Sequence, residues 1–260
     1  MDLKLKGKRV LVTGGNSGLG ASIVHAFAAE QARIAINYVV KPEVAAQMAT
    51  ELRGSAGEVL TLQADISQSD AVADMFKKID AAWGGLDVLV NNAGIDGQRA
   101  LAWESDTQAW QHVLQINLTG AFLCAREALK RMVPQRSGVI VNTSSVHEQI
   151  AWSGYSAYAA SKAGLSMLAK TLAQEAGPYN VRVLCVAPGA IRTPINAQVW
   201  QDPAGAQDLL SKIAMGRVGE PEDIAGMVVV LASDVAGYVT GTSVFVDGGM
   251  TDYPAFSRGG

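Results

Sequence analysis

The 260-residue chain is 49% hydrophobic and 17% charged with a formal net charge of −3, enough apolar material for a large core and too little charge for a disordered chain. Its densest basic run is "KLKGKR" at residues 4–9, so nucleic acid is not an expected partner. No window approaches the apolar length of a membrane span, and the first apolar run is far too short for a signal sequence. Cys124 and Cys185 lie in apolar contexts without Cys-x-x-Cys spacing and read as buried free thiols of a reducing, cytoplasmic compartment.

Strand-length apolar runs alternate with helix-length segments along the chain. "RVLVTG" precedes "GASIVHAFAAEQ", "RIAINYV" precedes "EVAAQMATELRG", and "VLTLQAD" precedes "AVADMFKKIDAAWG". "LDVLVNNAG" leads into a long helical segment over 107–133, and "GVIVNTSS" into another over 158–176. "VRVLCVAPG" and "TSVFVDGG" supply two more strands. Continuous β-branched runs are the pattern of strands buried on both faces, hence of a parallel sheet. The alternation predicts a single-domain α/β protein with a doubly wound, Rossmann-type parallel sheet over residues 1–260. The least regular stretch, 191–215, holds two prolines and mixed polarity and is expected to form a flexible substrate flap.

Ligands of such sheets bind beyond the carboxyl ends of the strands, where the polar residues of this chain gather. "TGGNSGLG" puts Gly14, Gly18 and Gly20 in the first strand-to-helix turn, with Asn16, Ser17 and Leu19 between them. Glycines there let backbone amides and a helix N-terminus approach a pyrophosphate. The second strand closes on Tyr38 and Val39, with neither the acid that holds an adenine ribose nor the arginine that holds a 2′-phosphate. Lys41 is the nearest cation and Glu43 the nearest acid, so NAD and NADP both stay open. Asp65 and Ile66 follow the third strand, where Asp65 contacts the nucleotide or caps a helix. Asn92, Ala93 and Gly94 of "NNAG" would wall the adenine side.

"YSAYAASKAG" offers two tyrosines and one lysine. Its alanines favour a helix, on which Lys162 neighbours Tyr158 at i, i+4, while Tyr155 lies about 10 Å away along the axis. A free phenol has a pKa near 10, and an ammonium close by favours the phenolate. Lys162 is therefore expected to lower the pKa of Tyr158 for proton transfer near neutrality. His147 and Glu148 lack the spacing of a zinc helix and no nucleophile elbow is present, so no metal site is expected.

Together, TGxxxGxG, NNAG, Tyr158-x-x-x-Lys162 and a serine thirteen residues before Tyr158 make the chain resemble the short-chain dehydrogenase/reductase family over essentially its whole length. Within it, "INLTGAFL", "SSVHE", "GAIRTPINA", "YVTGTSVFVDGGMT" and "YPAF" are most similar to the bacterial glucose 1-dehydrogenase subgroup. The resemblance implies hydride transfer between NAD or NADP and a small-molecule secondary alcohol or carbonyl, first a sugar. It implies a catalytic set of Asn117, Ser145, Tyr158 and Lys162, with Asn117 kinking its helix and holding a water, and Lys162 also holding the nicotinamide ribose. Pro188, Gly189, Ile191 and Thr193 would line the nicotinamide, and Asp96, His147, Tyr155 and Asn196 the substrate pocket. A homotetramer is implied too, paired through the apolar faces of 107–133 and 157–176, with the C-terminal "DYPAFSRGG" tucked near a pocket. Two departures are Val39 in place of the subgroup's arginine, and "QIAWSGYSA", which does not match the sugar enzyme's pocket. A 3-oxoacyl thioester reductase, which should show a basic patch for an acidic carrier, and a non-catalytic nucleotide-sensing scaffold are the alternatives.

Overall fold

All seven expected strands form in the computed structural model, which describes residues 2–193 and 203–252. They are β1 (Arg9–Val12), β2 (Arg33–Tyr38), β3 (Glu58–Gln63), β4 (Val88–Asn91), β5 (Gly138–Thr143), β6 (Val181–Pro188) and β7 (Ser243–Val246). They pair in the order β3-β2-β1-β4-β5-β6-β7 with every ladder parallel. Parallel neighbours require crossovers, supplied by α1 (Gly18–Ala29), α2 (Pro42–Glu51), α3 (Ser69–Trp83), α4 (Thr107–Leu114), α5 (Ala121–Gln135), α6 (Ser156–Ala176), α7 (Pro203–Ser211) and α8 (Pro221–Ala232).

Side chains alternate across each strand, so the sheet feeds two cores. Val10 and Val12 meet Ile23, Val24 and Phe27 of α1 and Val228 and Val229 of α8 on one face. Leu11 and Leu89 meet Phe76 and Ile79 of α3, Met132 of α5 and Ala169 and Leu172 of α6 on the other. Burying each large apolar side chain contributes ~1.5–3 kcal/mol, and these layers hold the strand ends that carry the site.

Helix α8 has no counterpart in the sequence-based expectations. Its signals are Pro221 in the first turn and a capping box in which Glu220 and Asp223 exchange bonds with each other's backbone, satisfying donors that a helix start leaves open. The segment 107–133 is also not one regular helix. A π-helical turn, Gln115–Gly120, joins α4 to α5, and such turns mark points where a helix is re-aimed, often at functional sites.

Candidate active site

Strand order reverses between β1 and β4, the switch point where open α/β sheets take ligands. The loops after these two strands are locked together there. Thr13 Oγ1 accepts from the backbone N–H groups of Asn92 and Ala93, both at 3.0 Å, and Asn92 Nδ2 donates to the Thr13 carbonyl at 3.0 Å. Gly14 has φ +60°, and a Cβ on it would stand 3.1 Å from Ala93 Cα. A Cβ on Gly20 would overlap the Gly14 carbonyl oxygen and stand 2.6 Å from Asn92 Nδ2. Only glycine fits there, so the start of α1 closes directly onto the turn.

Ser17, the residue before α1, makes no capping bond with its side chain, so first-turn amides face the cleft as an anion-attracting end. Asn16 Nδ2 donates to the carbonyls of Val40 at 2.9 Å and Lys41 at 3.2 Å, tying the glycine turn to the loop after β2. Asn37 braces the same turn from below, accepting from Gly14 N–H and donating to Leu62 and Ala64 carbonyls. Tyr38 is buried, while Val39 is 50% and Val40 66% exposed, so two aliphatic side chains face outward at this rim. Leu19 packs against the first core. These features fit a dinucleotide: a cradle that a Cβ would fill, and open amides at a helix start.

The carboxylate of Asp65 accepts from Ser67 N–H at 2.9 Å, which closes a turn ahead of α3, whose cap position is Gln68. Ile66 lies against the π turn, where a Cβ on Gly120 would meet it at 2.9 Å. Gly94 is equally constrained, since a Cβ there would come within 3.2 Å of Asn117 Oδ1 and 3.7 Å of Lys162 Nζ. Pro188 ends β6, and Gly189 lies so close to Asp247 that a Cβ would sit 2.8 Å from its Cα. Ile191 bridges to Gly219, and Thr193 is the last described residue before Pro203. Asn196 and the tail 253–260 lie outside the described residues, as does the middle of the expected flap.

Asn117, Ser145, Tyr158 and Lys162 converge at the ends of β4 and β5. The π turn aims Asn117 inward, where its amide donates to the Ile95 carbonyl at 2.8 Å and Ser161 Oγ at 3.0 Å. Its Oδ1 accepts from Ile95 N–H at 2.9 Å. Ser161 Oγ donates in turn to the Tyr158 carbonyl at 2.7 Å, so Asn117 also fixes the first turn of α6. Ser145 follows β5 and accepts from His147 N–H, whereas Ser144 Oγ bonds the Lys162 carbonyl.

Lys162 is 5% exposed, with Nζ donating to the Thr143 carbonyl at 2.7 Å and lying 5.5 Å from the Tyr158 ring centroid. The lysine thus stands beside Tyr158 on α6, with its ammonium over the ring, as its helical position implies. The expected direction of tuning does not hold for the chain alone. Burial pushes the Tyr158 phenol above its ordinary value, Ser145 lowers it as a hydrogen-bond partner and the Asp96 charge raises it. Burial lowers Lys162 to about 8, against smaller upward pushes from Cys185 and Glu148. The physical reason is that a water-poor site disfavours both charged forms, phenolate as well as ammonium.

Sequence reasoning missed Trp152. Its ring stacks on His147 at 4.4 Å between centroids and on Tyr155 at 3.9 Å, and meets the Tyr158 ring edge-on at 5.8 Å. The three-residue spacing of Trp152, Tyr155 and Tyr158 was the available signal. His147 Nδ1 lies 3.0 Å from the Ile150 carbonyl. A carbonyl only accepts, so that nitrogen carries the hydrogen and Nε2 keeps its lone pair. Burial lowers the His147 pKa, so the ring is neutral at neutral pH. Among the described residues no three His, Cys, Asp or Glu side chains cluster as a metal site, and no helix is long and apolar enough to cross a membrane.

A parallel sheet with a glycine cradle at its switch point, facing a buried serine and lysine and a half-buried tyrosine, defines the class of protein as an oxidoreductase. The chain belongs to the short-chain dehydrogenase/reductase family. The family description Enoyl-(acyl carrier protein) reductase matches residues 14–251. The chain is 45% identical over 259 residues to 3beta-hydroxysteroid dehydrogenase 1 of Eggerthella lenta, covering 98% of each chain. It is 36% identical to glucose 1-dehydrogenase 2 of Bacillus subtilis, covering 96% of this chain and 97% of that protein. The crystal structure of levodione reductase superposes with a TM-score of 0.91 at 35% identity, over 96% of this chain and 99% of the other.

Proposed function

We propose that the protein interconverts a secondary alcohol and a ketone on a flat, largely apolar ring, with NAD preferred to NADP. The observation that carries the substrate class is the continuous aromatic wall of His147, Trp152 and Tyr155 beside the Tyr158 phenol. Stacked rings present a broad apolar face without a charged group, suited to an alicyclic skeleton. The higher identity to a hydroxysteroid dehydrogenase than to a glucose dehydrogenase points the same way. A sugar is the second reading, favoured by the SSVHE stretch and by Asp96, whose charge reaches Tyr158. No basic patch of the kind an acidic carrier protein needs is evident in the sequence.

In this reading Ser145 holds the substrate oxygen, and Tyr158 gives it a proton in reduction or takes one in oxidation. The nicotinamide, when bound, supplies or accepts the hydride. The raised phenol pKa keeps Tyr158 protonated at neutral pH, ready as the acid for ketone reduction. Lys162 stabilises the phenolate left behind, while Thr143 and Asn117 hold that lysine and tyrosine in place. The dinucleotide would lie along Gly14, Asn16, Gly18 and Gly20, with its adenine ribose at the rim of Val39 and Val40. Methyl groups there give a 2′-phosphate no counter-charge, which is the ground for NAD. Trp110, Phe122 and Met167 stand exposed on α4, α5 and α6, in agreement with pairing of these helices in a homotetramer. The free, buried thiols of Cys124 and Cys185 agree with a cytoplasmic setting.

The deciding experiment follows reduced nicotinamide by absorbance across a hydroxysteroid, a substituted cyclohexanone, glucose and a linear secondary alcohol, with NAD and NADP in parallel. Apolar ring substrates should lead in kcat/KM. Tyr158→Phe should abolish their turnover while cofactor affinity stays nearly intact; surviving turnover, or glucose leading the panel, would overturn this reading.

A further inference from the structure

The turn after β7 joins two stretches of chain at the site end of the sheet, and one carboxylate holds it. Asp247 follows Val246, the last residue of β7. Its Oδ1 accepts from Gly249 N–H at 2.9 Å, and its Oδ2 from Thr251 N–H at 2.8 Å and Thr251 Oγ1 at 2.7 Å. Gly248 and Gly249 have φ +64° and +81°, a conformation that glycine reaches at a cost in chain entropy. Two such residues in succession do not hold a shape by themselves, so the three bonds to the carboxylate set the turn.

Two stretches pack directly on this turn. On one side is Gly189, just past β6. Its N–H donates to the Val246 carbonyl at 3.2 Å, and a Cβ on it would stand 2.8 Å from Asp247 Cα. On the other side is 213–215, which follows α7. Met215 N–H donates to the Gly248 carbonyl at 2.9 Å. A Cβ on Gly248 would stand 2.8 Å from Ile213 Cγ2, and one on Gly249 2.8 Å from Ala214 Cβ. At such close packing a change in the turn is passed to both neighbours.

The β6 side of this arrangement borders the reacting groups. Thr143, whose carbonyl holds Lys162, is paired with Val186 on β6, and Ser145 and Pro188 each lie two residues beyond that rung. A hydride exchanged beside Ser145 and Tyr158 brings the nicotinamide half of a dinucleotide to the Pro188–Gly189 side, while its adenine half lies at the glycine turn after β1.

We propose that Asp247 is a positioning residue for the nicotinamide half of the cofactor: its carboxylate sets the turn after β7, which holds Gly189 and residues 213–215 in place at that end of the cleft. The proposal rests on the dinucleotide reading given above and not on the choice of substrate.

Calorimetric binding of NADH and of ADP-ribose, which lacks the nicotinamide, tests this on the full chain. In Asp247→Asn the side chain keeps its size, but an amide NH2 replaces one acceptor oxygen, so the bond to Gly249 or the pair to Thr251 is lost. Binding then has to order the turn, so the Kd for NADH should rise about tenfold, the order of one hydrogen bond to a charged group, and that for ADP-ribose by less than about twofold. A loss shared equally by the two ligands, as a merely structural role would give, overturns the proposal, and so does no loss for NADH. Thr251→Val removes the hydroxyl bond alone and keeps the shape, and it decides the matter should Asp247→Asn not fold. Its affinity for NADH should fall about threefold relative to ADP-ribose, and a wild-type ratio overturns the proposal. Thr251→Ser keeps the hydroxyl and should keep the wild-type ratio; a serine variant as weak as the valine one overturns it too. A wild type that binds neither ligand brings down the dinucleotide reading and this proposal with it. A wild type that binds both, with variants that leave the ratio unmoved, keeps that reading and removes only the role of Asp247.

Discussion

Replacing Lys162 by methionine should make the protein more stable while removing its activity. The magnitude comes from burial: a lysine whose pKa falls from 10.5 to about 8 carries a penalty on its charged form of roughly 3 kcal/mol, at 1.36 kcal/mol per unit. Methionine fills nearly the same volume without charge, but leaves the Thr143 carbonyl without its 2.7 Å donor, which returns ~1–2 kcal/mol of the gain. The expected net effect at pH 7 is a stabilisation of about 1–2 kcal/mol. The sign with pH follows from linkage. Between about 8 and 10.5 the unfolded chain holds a proton on this lysine that the folded chain has released, so the wild type gains stability from this group as pH rises through that window. Below it both states are protonated and the whole penalty is present; above it the penalty is gone. Urea unfolding of both proteins at pH 7 and pH 10 would read the difference directly, because other titrating groups cancel between them. A Lys162→Met protein that is less stable at pH 7, or whose advantage does not shrink by pH 10, would refute the argument that burial dominates this site.

Val39→Arg should raise kcat/KM for NADP relative to NAD by at least about tenfold, since one charge-assisted pairing is worth ~1.5 kcal/mol or more; an unchanged ratio would place the 2′ substituent away from the β2 rim. Trp152→Ala should raise KM for an alicyclic ketone more than it lowers kcat, because stacking contributes ~0.5–1.5 kcal/mol beyond burial; a loss confined to kcat would mean that the wall positions Tyr158 and not substrate. Gly20→Ala should abolish cofactor binding by calorimetry and lower the thermal midpoint, because its Cβ would overlap the Gly14 carbonyl oxygen, which is backbone and must shift. Wild-type affinity in that variant would mean that the turn is looser than its geometry implies.

Linear pattern alone determined the seven strands, their parallel pairing, the glycine turn and the placing of Lys162 one helical turn from Tyr158. These rest on rules that act along the chain: β-branched runs need burial on both faces, glycine alone takes the cradle, and four residues make one helical turn. Val39 was readable too, since absence of a charge at the end of β2 is a statement about composition.

Other features depended on how the chain folds in three dimensions. Helix α8 carried its start signal at Glu220, Pro221 and Asp223, yet its apolar stretch between β6 and β7 took its place only against α1. Trp152 became part of a wall once His147, five residues earlier, turned its ring onto it. The π turn at Asn117 exists because that amide reaches Ile95 and Ser161. The pKa of Tyr158 and Lys162 was decided by tertiary structure as well. Sequence adjacency foretold attraction between phenolate and ammonium, but the desolvation that raises the phenol and lowers the lysine is a property of the whole packed interior, and no local spacing encodes it.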